Sequence, residues 1–202
     1  MCCVVFSMVV FTISVSLAIY LHPGFSLFDP NSSLSKMGAL KDPHAWVFDW
    51  GIILTGFFLI MFSLGMSSLY WKESHKFYST FLFLIASFFY VGFGIFPYGT
   101  PYHTPLAESF FLLASISIFL WSFAAIIEKE VLSGILLILM DLSAYGVYFF
   151  YQILGFPFAE LYGGIVVAVW SVYAGFVDAR KYFEKKYGEV PKVAKILLPP
   201  TA

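Results

Sequence analysis

From Cys2 to Leu21 the chain carries no charged residue, and that run matches the ~20 apolar residues a helix needs to cross the hydrocarbon of a bilayer. Five further runs of the same kind follow: Trp46–Tyr70, Tyr78–Phe96, Leu106–Ile127, Val131–Leu154 and Ala159–Val177. Of the 202 residues 60% are hydrophobic and only 11% charged, against about 25% charged in globular domains. Water alone cannot be the solvent for such a chain, because even a 150-residue soluble domain hides only about 70% of its unfolded surface. Backbone groups in hydrocarbon must be satisfied inside their own segment, so helices are expected, and nothing alternates with the period of two that a barrel needs. The expected fold class is therefore all-α: a polytopic, multi-pass membrane protein with a six-helix transmembrane bundle. The first run is expected to be retained, since a cleaved leader has a positive n-region and no Lys or Arg precedes this one.

Six spans place both termini on one side. That side would carry Lys72, Lys76, Lys129, Arg180, Lys181, Lys185, Lys186, Lys192 and Lys195, against only Lys36 and Lys41 on the other. The positive-inside rule then puts both termini in the cytoplasm of a cell membrane. Residues 1–178 form the expected six-span domain and 179–202 a basic cytoplasmic tail. A charged helix is expected over Asp178–Tyr187, where its basic cluster would meet anionic headgroups. The long polar interval, residues 22–45, is an outer loop, and Asn31-Ser32-Ser33 within it is a glycosylation sequon on the exterior side. The second outer turn is PYGTPYHTP, 97–105, and the third Gly155-Phe156-Pro157, with prolines expected to stop the helices there. A net charge of −1 argues against a nucleic-acid partner. Cys2 and Cys3 are adjacent, which leaves no disulfide framework.

Polar chemistry collects toward the exterior. Asp141 lies near the middle of the fifth span, where a charge costs about 2.5–3.5 kcal/mol and so faces protein or a cavity. Asp141, Tyr145, Tyr148 and Gln152 share one helix face that climbs outward. Asp49, Glu108 and Glu160 open the second, fourth and sixth spans, where each also has a plain role at a helix N-terminus. Behind Glu160, the stripe Gly164, Ala168, Ser171 and Gly175 suits close approach of another helix. Together with His22, Asp42, His44 and His103, these groups outline an outer-leaflet polar cavity. Its expected ligand-binding residues are Asp49, His103, Glu108, Asp141, Tyr145 and Tyr148, with Asn31 and Ser35 from the loop. No HxxxH or HExxH spacing exists, so neither a metal nor any other cofactor is expected. A Ser35–His103–Asp49 hydrolytic set lacks a nucleophile motif such as GxSxG.

The segments PGFSLFDPNSSLSKMG, FDWGIILTGFFLIMFSLG and GIFPYGTPYHTPLAESFF resemble the domain of unknown function 998 family of six-span membrane proteins. That family's first outer loop reads like FSxxxNxLSxLG, matched here by Phe25, Ser26, Asn31, Leu34, Ser35 and Gly38. Phe48, Pro97 and His103 match its later positions. Lys36 stands where the family commonly has an acid, and Asp49 where it commonly has Asn. More distantly the layout is similar to the DRAM-type eukaryotic membrane proteins.

The function that these features suggest is binding of a lipid or other amphiphile, with membrane lipids as the partners. Proton or small-cation transport through Asp141 is the alternative, although the paired broken helices of transporters are not evident. A membrane-embedded enzyme is a third reading. A fourth is a helper that forms homo-oligomers through the Gly164/Ala168/Ser171/Gly175 face, which equally suits packing within one chain.

Overall fold

The structure, a computed structural model, describes residues 2–72, 74–180, 182 and 184. Seven α-helices follow in order: α1 (Cys2–Leu21), α2 (Ala45–Leu69), α3 (Ser74–Ile95), α4 (His103–Ile127), α5 (Val131–Phe149), the short α6 (Tyr151–Leu154) and α7 (Phe156–Val172). A 3-10 turn, Leu34–Gly38, interrupts the long loop, and a π turn, Tyr173–Asp178, continues α7. Six helices (α1 to α5, and α7 with its extension) are long and apolar enough to cross a membrane. Two ends result: a loop end, bearing residues 22–44, 96–102 and 150–155, and a terminal end. Part of the Asp178–Tyr187 segment and most of the basic tail lie outside the described residues.

Two helices start earlier than their prolines suggest. α4 begins at His103 rather than Leu106, and α7 at Phe156 rather than Ala159. Pro105 and Pro157 therefore sit inside first turns, where backbone N–H groups have no intrahelical partner and proline loses nothing. α5 stops at Phe149, and a separate turn, α6, leads to Gly155. Gly155 has φ 90° and packs directly on the Leu27 carbonyl and on Phe28. Any Cβ there would be both strained and blocked.

The packing is what lipid imposes. Leu132, Leu136, Leu139 and Ile153 point outward, more than half exposed, while Ser63, Ser79, Ser87, Ser117, Ser122 and Ser171 are fully buried. Between helices in hydrocarbon there is no hydrophobic drive, so close approach of small residues holds the bundle. Gly51 of α2 lies directly on Ser14 of α1, and Gly134 of α5 on Ile126 and the Ser122 carbonyl of α4. The buried hydroxyls mostly satisfy themselves: Ser63 donates to the Leu59 carbonyl (2.7 Å), Ser87 to Phe83 (2.8 Å) and Ser122 to Ile118 (2.7 Å). At the terminal end Trp121 and Trp170 are fully buried edge-to-face, 5.9 Å apart, and Phe83 packs on Trp170 at 4.7 Å. Lys76, also buried, pairs with Glu128 (2.6 Å) beneath the faces of Tyr70 and Trp121.

The long loop folds down as a roof. Leu34, Met37 and Gly38 are buried, and Tyr98 pairs with the chain at Gly38 and Leu40 through a short β-bridge at Ala39. Phe158 N–H donates to the Leu27 carbonyl (3.1 Å), which pins the loop to the start of α7. Its two ends are tied by His22 and Asp42 (2.8 Å). His22 Nδ1 also donates to the Ala18 carbonyl (2.6 Å). Asp42 accepts from the His44 N–H as well (2.7 Å), and that bond, with His22 beside it, holds the Asp42 carboxyl below its usual range.

Candidate functional site

A cavity of about 430 Å3 lies between α1, α2, α3, α4 and α7, with Leu34 and Ser35 of the 3-10 turn as its roof. That volume is within the ~300–1,000 Å3 of small-molecule sites. Sequence explains the space. α1 packs along α2 but touches α7 only sparsely, and facing α1 the last helix offers Gly164, Ala168 and Ser171 rather than bulk. A Cβ on Gly164 would only just touch the Phe11 ring, at 3.5 Å. The stripe that suits a helix-packing face thus leaves a gap. Thr12 and Ser16 of α1 and Ile165 and Val169 of α7 line the cavity and are exposed, so its mouth lies between these two helices and faces the bilayer sideways.

The walls are aliphatic and aromatic, including Ile52, Leu59, Phe93, Phe110 and Phe111. Glu160 stands at the roof. Its Oε2 accepts from the Leu34 N–H (2.6 Å) and its Oε1 from the Ser35 hydroxyl (2.8 Å). A carboxylate so close to lipid persists only where donors meet it, and here the folded loop supplies both. Deeper in, Thr55 of α2 is 4% exposed and its hydroxyl has no partner among the described residues. An orphaned buried hydroxyl costs about 1–3 kcal/mol.

The residues expected to form the site fall into four places. Ser35 lines the cavity. Asp49 and His103 lie beside it, under the loop. Asp49 is partly buried against Gly38, with Oδ1 unpartnered. His103 is 3% exposed, between the rings of Phe93 (5.5 Å) and Tyr98 (5.6 Å). Its Nδ1 faces the Phe96 carbonyl (2.8 Å) and the Phe93 carbonyl (3.1 Å), so the proton is on Nδ1, while Nε2 is buried without a partner. Asp141 is apart from both. It accepts from Ser115 (2.8 Å), which in turn accepts from Tyr145 (2.8 Å), and this chain ties α4 to α5. Tyr148 is exposed near Tyr151 and Phe156; Glu108 and Asn31 are exposed. Glu160 and Thr55 stand outside the expected ligand-binding set, as do Ser7, Thr12, Ser16, Tyr90 and Ser171 of the lining. In sequence Glu160 joins the acids that outline the cavity but reads equally as an ordinary helix-end acid, and a lone Thr among Leu and Phe sends no signal. Among the described residues no three of His, Cys, Asp and Glu come together as a metal site.

Comparison with curated proteins and with solved structures returns no match. A family model described as protein of unknown function (DUF998) matches residues 5–177, which include all six long helices apart from the first residues of α1, and the chain belongs to that family.

Proposed function

We propose that this multi-pass membrane protein takes one lipid chain, or the chain of another amphiphile, into the cavity from the bilayer through the gap between α1 and α7. The observation that carries the reading is an apolar chamber with a sideways mouth and a single carboxylate under its roof. By the excess of Lys and Arg at the terminal end, the roof lies in the outer leaflet of the cell membrane. At about 430 Å3 the cavity lies in the lower half of the range of small-molecule sites, which favours one chain over two.

Photolabelling in vesicles tests this. Ile52, Leu59 and Phe110 line the cavity yet are at most 5% exposed. A lipid with a photoactivatable group on its chain should label peptides containing them. Labelling confined to outward residues such as Leu136 and Leu139 would remove the lipid from the interior and the proposal with it.

A further inference from the structure

The chemistry of the cavity narrows the head of its occupant. Glu160 is the one acidic side chain among the described residues that line it, and no Lys, Arg or His joins it in that lining. A carboxylate offers about four acceptor sites. Leu34 and Ser35 take one on each oxygen, which leaves one on each for a donor from within. An acidic head would set acceptor against acceptor and charge against charge at low dielectric. Lys36, the nearby base of the turn, is exposed and donates instead to the Asn31 carbonyl, so it does not offset this preference from inside. Lower down, Thr55 differs from several of the buried serines of the spans. Ser63, Ser87, Ser122 and Ser171 each return to the carbonyl one turn back, whereas Thr55 keeps its hydroxyl unpartnered in the cavity wall.

From this we infer, on the footing of the cavity reading above, that the occupant is a single-chain amphiphile whose head donates hydrogen bonds, an amine or a polyol. Glu160 selects that head against phosphate and carboxylate heads. The Thr55 hydroxyl, shielded in the wall, meets a polar linkage such as an ester or ether oxygen below the head once its rotamer turns toward the chamber.

The test is native mass spectrometry of the full chain released from micelles with an equimolar mixture of tetradecylamine, monomyristoylglycerol, myristic acid and tetradecyl phosphate. The amine or the monoglyceride is retained over both acids by about tenfold or more. An amine in first place identifies a cationic head, and the monoglyceride in first place a polyol. Glu160→Gln keeps an acceptor for the Leu34 N–H and lets the Ser35 hydroxyl accept from the amide instead, and should narrow the preference to about twofold while chain retention persists. Thr55→Val should weaken the monoglyceride and leave the amine unchanged. Equal retention of all four heads, an excess of either acid, or an undiminished preference in Glu160→Gln overturns the head assignment while leaving the cavity reading intact. No retention of any chain by the wild type overturns both. The wild-type ranking decides the matter even if a variant does not fold.

Discussion

A carboxylate is expensive near lipid, and the acids of this chain meet that expense in different ways. Asp141 is answered by side chains of its own bundle, Ser115 and through it Tyr145. Glu160 is answered by a loop more than a hundred residues away in sequence, which makes it a fastening for the roof as well as a lining of the cavity. Asp42, outside the spans, closes the loop on His22 and takes the His44 N–H. Because its folded pKa is depressed, Asp42 contributes stability that is present above its unfolded value of about 3.9 and lost as pH falls through the folded one. Thermal melts of the detergent-solubilised protein should therefore show a component lost below about pH 4, and Asp42→Asn should lower Tm at pH 7 and flatten that component. An acid limb of the same size in Asp42→Asn would locate the effect elsewhere.

At the scale of helices, the bundle depends on a few points where one backbone nearly touches the next. Gly51 on Ser14 is such a point between α1 and α2, and only 28% of the α1 span is buried. Gly51→Ala should cost about 1–3 kcal/mol through overpacking. Ser14→Gly in the same chain should restore most of that, so a double-mutant cycle by thermal unfolding should give clear coupling; additive costs would mean that the helices do not meet there. The long apolar runs announce these helices because hydrocarbon permits so few alternatives. Their contacts are less legible. Pro105 and Pro157 read as stops, although a first helical turn accommodates them. The stripe from Gly164 to Ser171 reads as a packing face, because small residues permit close approach without requiring it, and only the sparse contact of α1 with α7 leaves it as a cavity wall. His103 reads as a loop ligand, but Phe93 and Tyr98 enclose it. Glu160 is visible as an acid at a helix start, while its link to Leu34 and Ser35 depends on how the loop folds, which no local pattern encodes.

Taken whole, the molecule is a bundle closed on most sides and open on one. α2, α3 and α4 form its well-buried centre. α5 lies mostly in lipid, with 17% of its span buried. α1 touches α7 only sparsely, and the loop seals the end above the gap. On the proposed reading, such a shape offers a chain in the bilayer an apolar slot and a polar stop. Filling the slot should abolish that, and Gly164 is the place to fill it, since a side chain there enters the space beside Phe11. Gly146, where a Cβ would meet only open space, is the matched control on α5. The decisive measurement is the stoichiometry of co-purifying lipid by native mass spectrometry in the wild type, Gly164→Phe and Gly146→Phe. One chain per protein in the wild type and in Gly146→Phe, falling to about a tenth in Gly164→Phe, is the expected result. A wild type without bound lipid, or equal occupancy in all three, would contradict it.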